Sequence, residues 1–321
     1  MYDFIVVGAG ISGCLAAKKL SESDHKVLVI EKSRGPGGRM SSRRVDSPHG
    51  QWRFDHGAQF FTARDSRFQK LIEASLVCKP WHDQIPHRAY EEAKTSKRWI
   101  GLHGMNSLAK EWAESLPIHT EERVIRVQAQ SFGWELFTDR ESSYKTKHLV
   151  LSCPIPQCVE LLKAQMKLPD EMLEFSYDAC WTILFGAYEE FRLNSPYAFW
   201  CDPSSGVDWV CDNQKKGISN LPALSVQLTA DKSKEFINSS SEAVIQLAKD
   251  QLREFLPPSM AYEAAHRWLY ATPKGELSEA GFYTANQPAP VSIIGDAFYG
   301  GRVEGAVLSA LDFLTSFNST S

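Results

Sequence analysis

Three glycines near the start of the chain have the spacing of a nucleotide-binding turn. Gly8, Gly10 and Gly13 follow a short apolar run that reads as a buried strand. Residues without a Cβ permit a tight turn and let a pyrophosphate approach backbone N–H groups at the start of a helix. A second apolar run ends in Glu31, where a dinucleotide site places a carboxylate for ribose hydroxyls. The spacing predicts a strand–helix–strand unit that binds a dinucleotide.

The segment that follows, residues 32–40, is rich in glycine and carries several basic residues. Glycine and proline are too frequent in it for a helix or a strand. Its composition alone is that of a basic surface loop. Because the segment leaves the carboxyl end of a parallel strand, where open α/β sheets bind ligands, Arg39 is also a candidate clamp for a phosphate.

Hydrophobic periodicity predicts the elements of the first half of the chain. A capped helix is expected over residues 65–77, and a hairpin over 123–127 and 134–137. A buried strand over 148–152 is followed by a helix that starts at proline. Residues 79–102 are dense in aromatic side chains and are expected to form either strands that cross to a second domain or a substrate lid.

The second half of the chain predicts a different kind of sheet. Residues 170–275 lack glycine fingerprints and contain several alternating, aromatic-rich stretches, which favour antiparallel strands. One helix is expected over Ser241–Phe255. His266 falls within one of the strands, either as a core residue or as a catalytic group. A last strand over residues 291–296 and a helix that opens at Arg302 complete the pattern.

Length and composition limit the class of protein. A chain of 321 residues is expected to form two domains with ample core. Its net charge of -4 favours no nucleic-acid partner. The seven cysteines are odd in number and show no CxxC pair, so neither a disulfide framework nor a metal site is expected. No apolar run is long enough for a bilayer, and the first strand leaves no room for a signal peptide, so we expect a cytoplasmic location.

Several segments resemble one superfamily of flavoproteins. Glu31-Lys32 followed by Gly37-Gly38-Arg39 resembles the FAD-dependent amine oxidase and glutathione-reductase-type superfamily. Residues 54–63 resemble its renalase-like branch, the bacterial NAD/FAD-dependent oxidoreductases. The segment His266-Arg267-Trp268 and residues 302–306 resemble that branch too.

The resemblance implies FAD as cofactor and names its contacts. In such proteins the glutamate holds the adenosine ribose, the C-terminal aspartate accepts from the ribitol chain, and the last helix points its N-terminus at the reducible end of the ring. Gly57-Ala58 is expected to allow close approach of the backbone to the flavin. The expected FAD contacts are Gly8, Ala9, Gly10, Ile11, Ser12, Gly13, Glu31, Lys32, Gly38, Arg39, Met40, Ala58, Gln59, Phe60, Val124, Asp296, Val303, Glu304, Gly305 and Ala306. The residues expected to act on the substrate are Gln59, Phe60, His266 and Trp268.

The expected fold class is α/β, with an FAD-binding Rossmann-like domain and a substrate domain built on a mixed or antiparallel sheet, as in amine oxidases and p-hydroxybenzoate hydroxylase. The FAD domain is expected to comprise residues 1–77, 104–165 and 276–321. The substrate domain is expected to comprise residues 78–103 and 166–275. Cysteine and histidine, the usual attachment residues, are both absent from the segment expected beside the flavin, so FAD should be bound without a covalent bond.

The function implied by the resemblance is that of a renalase-like oxidase. Such an enzyme oxidises 2-dihydro or 6-dihydro isomers of NAD(P), with hydride transfer to flavin N5 and oxygen as the acceptor that yields hydrogen peroxide. The expected partners are therefore a small dihydronicotinamide dinucleotide and molecular oxygen, with no nucleic acid and no membrane. An amine oxidase and a non-enzymatic flavoprotein are the alternatives. A nicotinamide dehydrogenase without flavin is disfavoured because it would leave Gly295-Asp296 and Gly305-Ala306 without a role.

Overall fold

Two β-sheets organise the chain. The computed structural model describes residues 1–81, 84–87, 90–95, 97–193, 198–277 and 280–320. In chain order the strands are β1 (Tyr2–Val7), β2 (Val27–Ile30), β3 (Ser42–Ser47), β4 (Gly50–Asp55), β5 (Cys78–Trp81), β6 (Gln84–His87), β7 (Tyr90–Thr95), β8 (Arg98–Gly101), β9 (Ile118–His119), β10 (Val124–Gln130), β11 (Gly133–Thr138), β12 (Ser143–Leu151), β13 (Tyr177–Gly186), β14 (Ala198–Trp200), β15 (Val207–Asp212), β16 (Ala223–Leu228), β17 (Tyr262–Pro273), β18 (Tyr283–Ala285) and β19 (Val291–Ile293). The helices are α1 (Ile11–Glu22), α2 (Ser66–Glu73), α3 (Ser107–Ala113), α4 (Ile155–Leu162), α5 (Asp170–Leu173), α6 (Ala230–Glu235), α7 (Ser241–Leu252) and α8 (Arg302–Thr320). Short 3-10 turns cover Gly38–Met40, Pro203–Ser205 and Asp296–Tyr299.

The first sheet has parallel strands at its centre. β1 pairs in parallel with β2 and β12, and β12 pairs in parallel with β19. Residues 4–7 of β1 are buried on both faces of the sheet, which explains their continuous apolar sequence. On one face α1 packs against α8 and α3, and the parallel strands bring the glycine turn, Glu31 and the end of β19 to one edge.

The second sheet has the strand order β17-β13-β16-β15-β14-β6-β7. Its pairings are antiparallel except that β14 and β6 run in parallel. The apolar side of α7 packs against β13 and β17, as its periodicity predicts. The expected α/β class with a mixed second sheet is therefore confirmed.

Most predicted elements are present, with different ends. The helix expected over 65–77 has its Asp65 cap but ends at Glu73, and the helix expected to reach Phe255 ends at Leu252. β12 begins at Ser143 rather than His148, because its polar first half pairs with β11 through the backbone. Around residues 79–102, β5 and β8 form an antiparallel ribbon, so the strands predicted there are present.

A separate two-stranded unit packs against the second sheet. The hairpin of β3 and β4 buries Trp52 and Phe54 against Leu184 and Ala223 of the second sheet. Within the described part of the chain neither strand of this hairpin pairs with a further strand, so β3 has an edge without a strand partner there. Among the described residues, no helix has both the length and the hydrophobicity of a membrane-spanning segment.

Candidate functional site

A cleft of about 2100 Å³ is lined by residues from both sheets. Pockets for drug-sized ligands usually measure roughly 300–1,000 Å³. The cleft therefore has room for a ligand the size of a dinucleotide and a second molecule.

The glycine turn lies at one end of the cleft. Gly8 has a φ of 106°, and Gly10 begins α1 without a side-chain cap. A Cβ on Gly13 would lie 2.1 Å from the Gly8 carbonyl oxygen, whereas a Cβ on Gly10 would meet no atom within 4 Å. Gly13 is thus required for close packing of strand and helix, and Gly10 leaves open space in the cleft before the helix N-terminus.

Glu31 lies buried beside this turn, at the end of β2. Its two carboxylate oxygens accept hydrogen bonds from the Ala9 N–H at 2.7 Å and the Ser33 N–H at 2.7 Å, and the Ser33 hydroxyl also donates to it. Lys32 and Val124 line the same end of the cleft. The carboxylate is therefore fixed at the expected place, although both oxygens already have protein partners.

Arg39 lies between the first sheet and the second. Its guanidinium donates to both Asp296 oxygens, at 2.8 and 2.5 Å, in a bidentate ion pair. It also approaches the carbonyls of Tyr270 and Ala271 at 3.4 Å. Arg39 lines the cleft with its guanidinium held by Asp296, and its expected role as a phosphate clamp stays a prediction.

The segment after β4 turns sharply against the Arg39 loop. A Cβ on Gly57 would lie 1.9 Å from the Arg39 carbonyl oxygen, and the Ala58 N–H donates to that oxygen at 2.9 Å. The close backbone approach expected at Gly57 is therefore made to the protein itself. Gln59 donates to the carbonyls of Asp55 and Gly57, and its Oε1 is buried with no partner among the described residues.

A buried ion pair holds the backbone of this turn. The Lys216 ammonium lies 2.6 Å from an Asp55 carboxylate oxygen, and both side chains are fully buried. Lys216 also donates to the Gln59 carbonyl at 2.5 Å. Sequence reasoning missed Lys216 because it follows Lys215 in a polar loop, and nothing in that local sequence predicts that its side chain is buried.

Aromatic rings form one wall of the cleft. Phe60 lies 5.7 Å from Trp209 and 6.5 Å from Trp200 between ring centroids. The two tryptophans are 4.6 Å apart at an angle of 64°. All three residues line the cleft, so this wall excludes water from its surroundings.

A second aromatic group contains the two candidate residues of β17. His266 stacks on His56 with centroids 5.0 Å apart and planes 12° apart, and it contacts Trp268 at 4.4 Å. The Trp268 indole N–H donates to the His56 carbonyl at 2.7 Å. His56 Nδ1 is buried without a partner among the described residues. We call His56, His266 and Trp268 the histidine platform; all three line the cleft.

Both imidazoles of the platform are held neutral. Burial, with His266 and Arg43 facing the ring, lowers the pKa of His56 to about 3. Burial and Arg43 lower the pKa of His266 to about 4. At neutral pH the platform can therefore bind a flat, uncharged ring and offer hydrogen-bonding nitrogen atoms.

These pKa values predict a loss of stability in mild acid. Between pH 7 and pH 5 the unfolded chain takes up protons on the two rings and the folded chain does not, so the free energy of unfolding should fall by about 3 kcal/mol for the two rings together. Denaturant unfolding at both pH values measures this fall. His266→Phe should reduce it, while the control His103→Phe, at an exposed ring, should not. An equal fall in both variants would contradict a buried, neutral His266.

Some of the expected contacts lie outside the cleft. Glu304 accepts hydrogen bonds from the backbone of Arg64 and Asp65, so its side chain is turned toward the start of α2. A Cβ on Gly305 would lie 2.7 Å from the Tyr299 Cβ, which places this glycine against the preceding turn. The expected residues that do not line the cleft are Ala9, Gly13, Glu304 and Gly305. The expected residues that do line it are Gly8, Gly10, Ile11, Ser12, Glu31, Lys32, Gly38, Arg39, Met40, Ala58, Gln59, Phe60, Val124, His266, Trp268, Asp296, Val303 and Ala306.

Comparison with protein families identifies the fold and its cofactor class. The NAD(P)-binding Rossmann-like domain family matches residues 6–74. The family of flavin-containing amine oxidoreductases matches residues 81–312, which is most of the chain. The chain belongs to the flavin-containing amine oxidoreductases. Membership implies a flavin cofactor, and the expected class of FAD-dependent oxidoreductase is confirmed at the level of the family.

Individual relatives are more distant. The L-amino acid dehydrogenase of Synechocystis sp. is 43% identical over 70 residues, which is 22% of this chain and 14% of that protein. The L-amino-acid oxidase of Mus musculus is 23% identical over 145 residues, which is 45% of this chain and 19% of that protein. The matched parts therefore span less than a fifth of the length of either relative.

Solved structures resemble nearly the whole chain. Cyclohexylamine oxidase from Brevibacterium oxydans has a TM-score of 0.74 at 13% identity, with 99% of both chains covered. Putrescine oxidase bound to putrescine has a TM-score of 0.69 at 14% identity, again with 99% of both chains covered. At these identities the likeness shows the fold alone.

The cleft of this family member fits a flavin dinucleotide. Open space before the uncapped start of α1 suits a pyrophosphate, with Gly10, Ile11 and Ser12 as its nearest backbone. At the other end, the unpartnered Gln59 Oε1 and His56 Nδ1 are buried polar atoms that a ring or its substrate would satisfy. Unpartnered atoms at one end and an open helix N-terminus at the other match a long, polar cofactor.

Proposed function

We propose that this protein is a flavin-dependent oxidase that takes hydride from 2-dihydro or 6-dihydro isomers of NAD(P) and passes electrons to oxygen, with hydrogen peroxide as product. The observation that carries the proposal is the histidine platform with Arg43 beside it. A flat dihydronicotinamide ring can stack on neutral rings, and its carboxamide can pair with the unpartnered His56 nitrogen. A protonated amine would be repelled by the Arg43 guanidinium at the same place.

The charge of the cleft supports a phosphorylated substrate. Ten lysines and arginines line it against seven aspartates and glutamates, while the whole chain has a net charge of -4. A surplus of positive charge inside a cleft attracts anionic ligands and raises their rate of association. Because a dinucleotide is anionic and a protonated amine is cationic, this positive surplus favours a dinucleotide substrate beside the cofactor over an amine.

The protein residues of the proposed site position the reactants and exclude water from them. Flavin, when bound, supplies the acceptor for hydride, so no protein nucleophile is needed. Phe60 and the two tryptophans exclude water from the ring end of the cleft. The Gln59 amide orients the substrate through its free oxygen, and the Lys216 ammonium holds the backbone that carries it.

Amine oxidation is the alternative that the family name and the two amine-oxidising structural neighbours favour. Such a site usually flanks a neutral amine with two parallel aromatic rings. Trp200 and Trp209, a close pair in the cleft, are inclined by 64°, and the nearly parallel pair of the platform consists of two histidines already in contact. We therefore rank the amine substrate second.

Aerobic release of hydrogen peroxide separates these functions. The FAD-loaded protein is mixed with 2-dihydro, 6-dihydro and ordinary 4-dihydro forms of NAD and NADP, and with cyclohexylamine and putrescine. We expect peroxide from the first two isomers, little from the 4-dihydro form, whose hydride lies away from N5 in the same stacked pose, and little from the amines. Peroxide from an amine alone would overturn the proposal.

We also propose that FAD is held without a covalent bond. The turn at residues 297–302 contains neither cysteine nor histidine. Two cysteines line the cleft: Cys153 lies beside Gly8 at the pyrophosphate end, and Cys180 lies opposite Trp268, with its thiol donating to the carbonyls of Trp181 and Leu228. Acid or heat should therefore release all of the flavin into the supernatant. Yellow colour that stays with the precipitated chain would contradict this arrangement.

A further inference from the structure

Three cationic side chains meet on one face of the β3–β4 hairpin. Arg44 of β3 lies directly opposite Arg53 of β4 in the antiparallel pairing, so the two side chains share a face. Lys110 of α3 faces both of them, since the two arginines act on its charge. Arg44 and Lys110 line the cleft, whereas Arg53 lines a smaller neighbouring pocket and donates to the His103 carbonyl at 2.7 Å and to the Gln51 side-chain oxygen at 3.2 Å. We call these three residues the basic trio.

The arrangement is unfavourable without an anion. Like charges directly opposite each other on neighbouring strands destabilise a sheet. Burial and the Arg44 charge lower the pKa of Arg53, and burial with both arginines lowers the pKa of Lys110. Within the described part of the chain, no carboxylate lies within 4 Å of a nitrogen of the trio.

The nearby acidic groups have other partners. Asp55, which acts on Arg53 from a distance, is bound to the Lys216 ammonium at 2.6 Å. Asp46 also lines the cleft, and its oxygen accepts from the Gln51 amide at 2.6 Å. Counting Asp46 against the trio leaves a positive charge of about two, which matches a phosphate monoester or a diphosphate.

We propose that the basic trio is a subsite for a phosphate group of the substrate dinucleotide. The edge of β3 that has no strand partner among the described residues borders the cleft, and both Arg43, beside the histidine platform, and Arg44, in the trio, line the cleft there. A dinucleotide whose ring lies on the platform can cross this edge and place its phosphate on Arg44 and Lys110, the two members of the trio that line the cleft, with the Arg53 charge behind them. The inference rests on the proposed function, because it assigns the ligand as that substrate; the bound group is its bridging diphosphate or its 2′-phosphate.

Binding of ADP-ribose and of its 2′-phosphate to the FAD-loaded protein tests the subsite without turnover. Calorimetry on Arg44→Gln and Lys110→Gln should show affinity reduced about ten-fold in each variant and a weaker dependence on salt. The control Arg253→Gln removes an arginine whose side chain is 84% exposed and lies outside the cleft, and should bind as the parent does. Loss of affinity for both ligands assigns the diphosphate, and loss for the phosphorylated ligand alone assigns the 2′-phosphate.

Two results would overturn the subsite. One is unchanged affinity for both ligands in both trio variants. The other is loss of FAD from the variants, because the trio would then serve the cofactor. Failure of the proposed function is a separate result: the parent protein would bind ADP-ribose through the trio and yet transfer no hydride from any dihydronicotinamide.

Discussion

Gly10→Ala is expected to abolish FAD binding while leaving the FAD-free fold intact, and Gly13→Ala is expected to damage the fold itself. A Cβ on Gly10 meets no protein atom within 4 Å and lies where the pyrophosphate should approach. Its φ of -70° suits alanine, so the cost at this cap position should be less than about 1 kcal/mol. A Cβ on Gly13 would lie 2.1 Å from the Gly8 oxygen, an overlap that costs about 3 kcal/mol or more.

Two measurements on each variant distinguish these effects. Denaturant unfolding of the FAD-free protein should show a lower midpoint for Gly13→Ala and a midpoint near the parent value for Gly10→Ala. Titration with FAD should show affinity lowered at least ten-fold for Gly10→Ala. Normal FAD affinity in Gly10→Ala would show that the open space before α1 is not the pyrophosphate site.

Asp296→Ala should destabilise the protein by about 3 kcal/mol, because it leaves the Arg39 guanidinium without its bidentate partner. The Asp296 side chain is 8% exposed, whereas the Arg39 side chain is 30% exposed, so water at the cleft recovers part of the loss. The matched control is Asp250→Ala, which removes the partner of the exposed Arg253 and should cost less than about 1 kcal/mol.

A double-mutant cycle isolates the contribution of this pair. Asp296→Ala and Arg39→Ala are measured singly and together by denaturant unfolding of the FAD-free protein, and we expect a coupling free energy above about 1 kcal/mol. FAD retention should fall in both single variants, since the loop after β2 and the end of β19 lose their connection. Additive effects of the two substitutions would show that the ion pair does not join these segments.

The parts of the fold that the sequence predicted are those specified by local patterns. Gly8 and Gly13 identify a turn because each has its own steric reason for lacking a Cβ, and Glu31 ends a strand at a fixed distance from them. Asp65 predicted the start of α2 because its side chain accepts from the Arg67 N–H. Such patterns act over a few residues, so they can be read without knowledge of the fold.

The parts that were missed depend on contacts between distant segments. Lys216 and Asp55 are 161 positions apart, and Arg39 and Asp296 are 257 apart. Periodicity shows that a strand is buried, but it does not show which strand lies beside it. For the same reason the sequence did not show that the Glu304 side chain accepts hydrogen bonds from the backbone before α2.

The central claim is that a dihydronicotinamide isomer delivers hydride to flavin in this cleft, and anaerobic rapid mixing tests it most directly. The FAD-loaded protein is mixed with 2-dihydro or 6-dihydro NAD(P) without oxygen, and the absorbance of oxidised flavin is followed. We predict fast bleaching by both isomers, much slower bleaching by the 4-dihydro form, and none by monoamines. Fast bleaching by an amine with none by the isomers would contradict the proposed function.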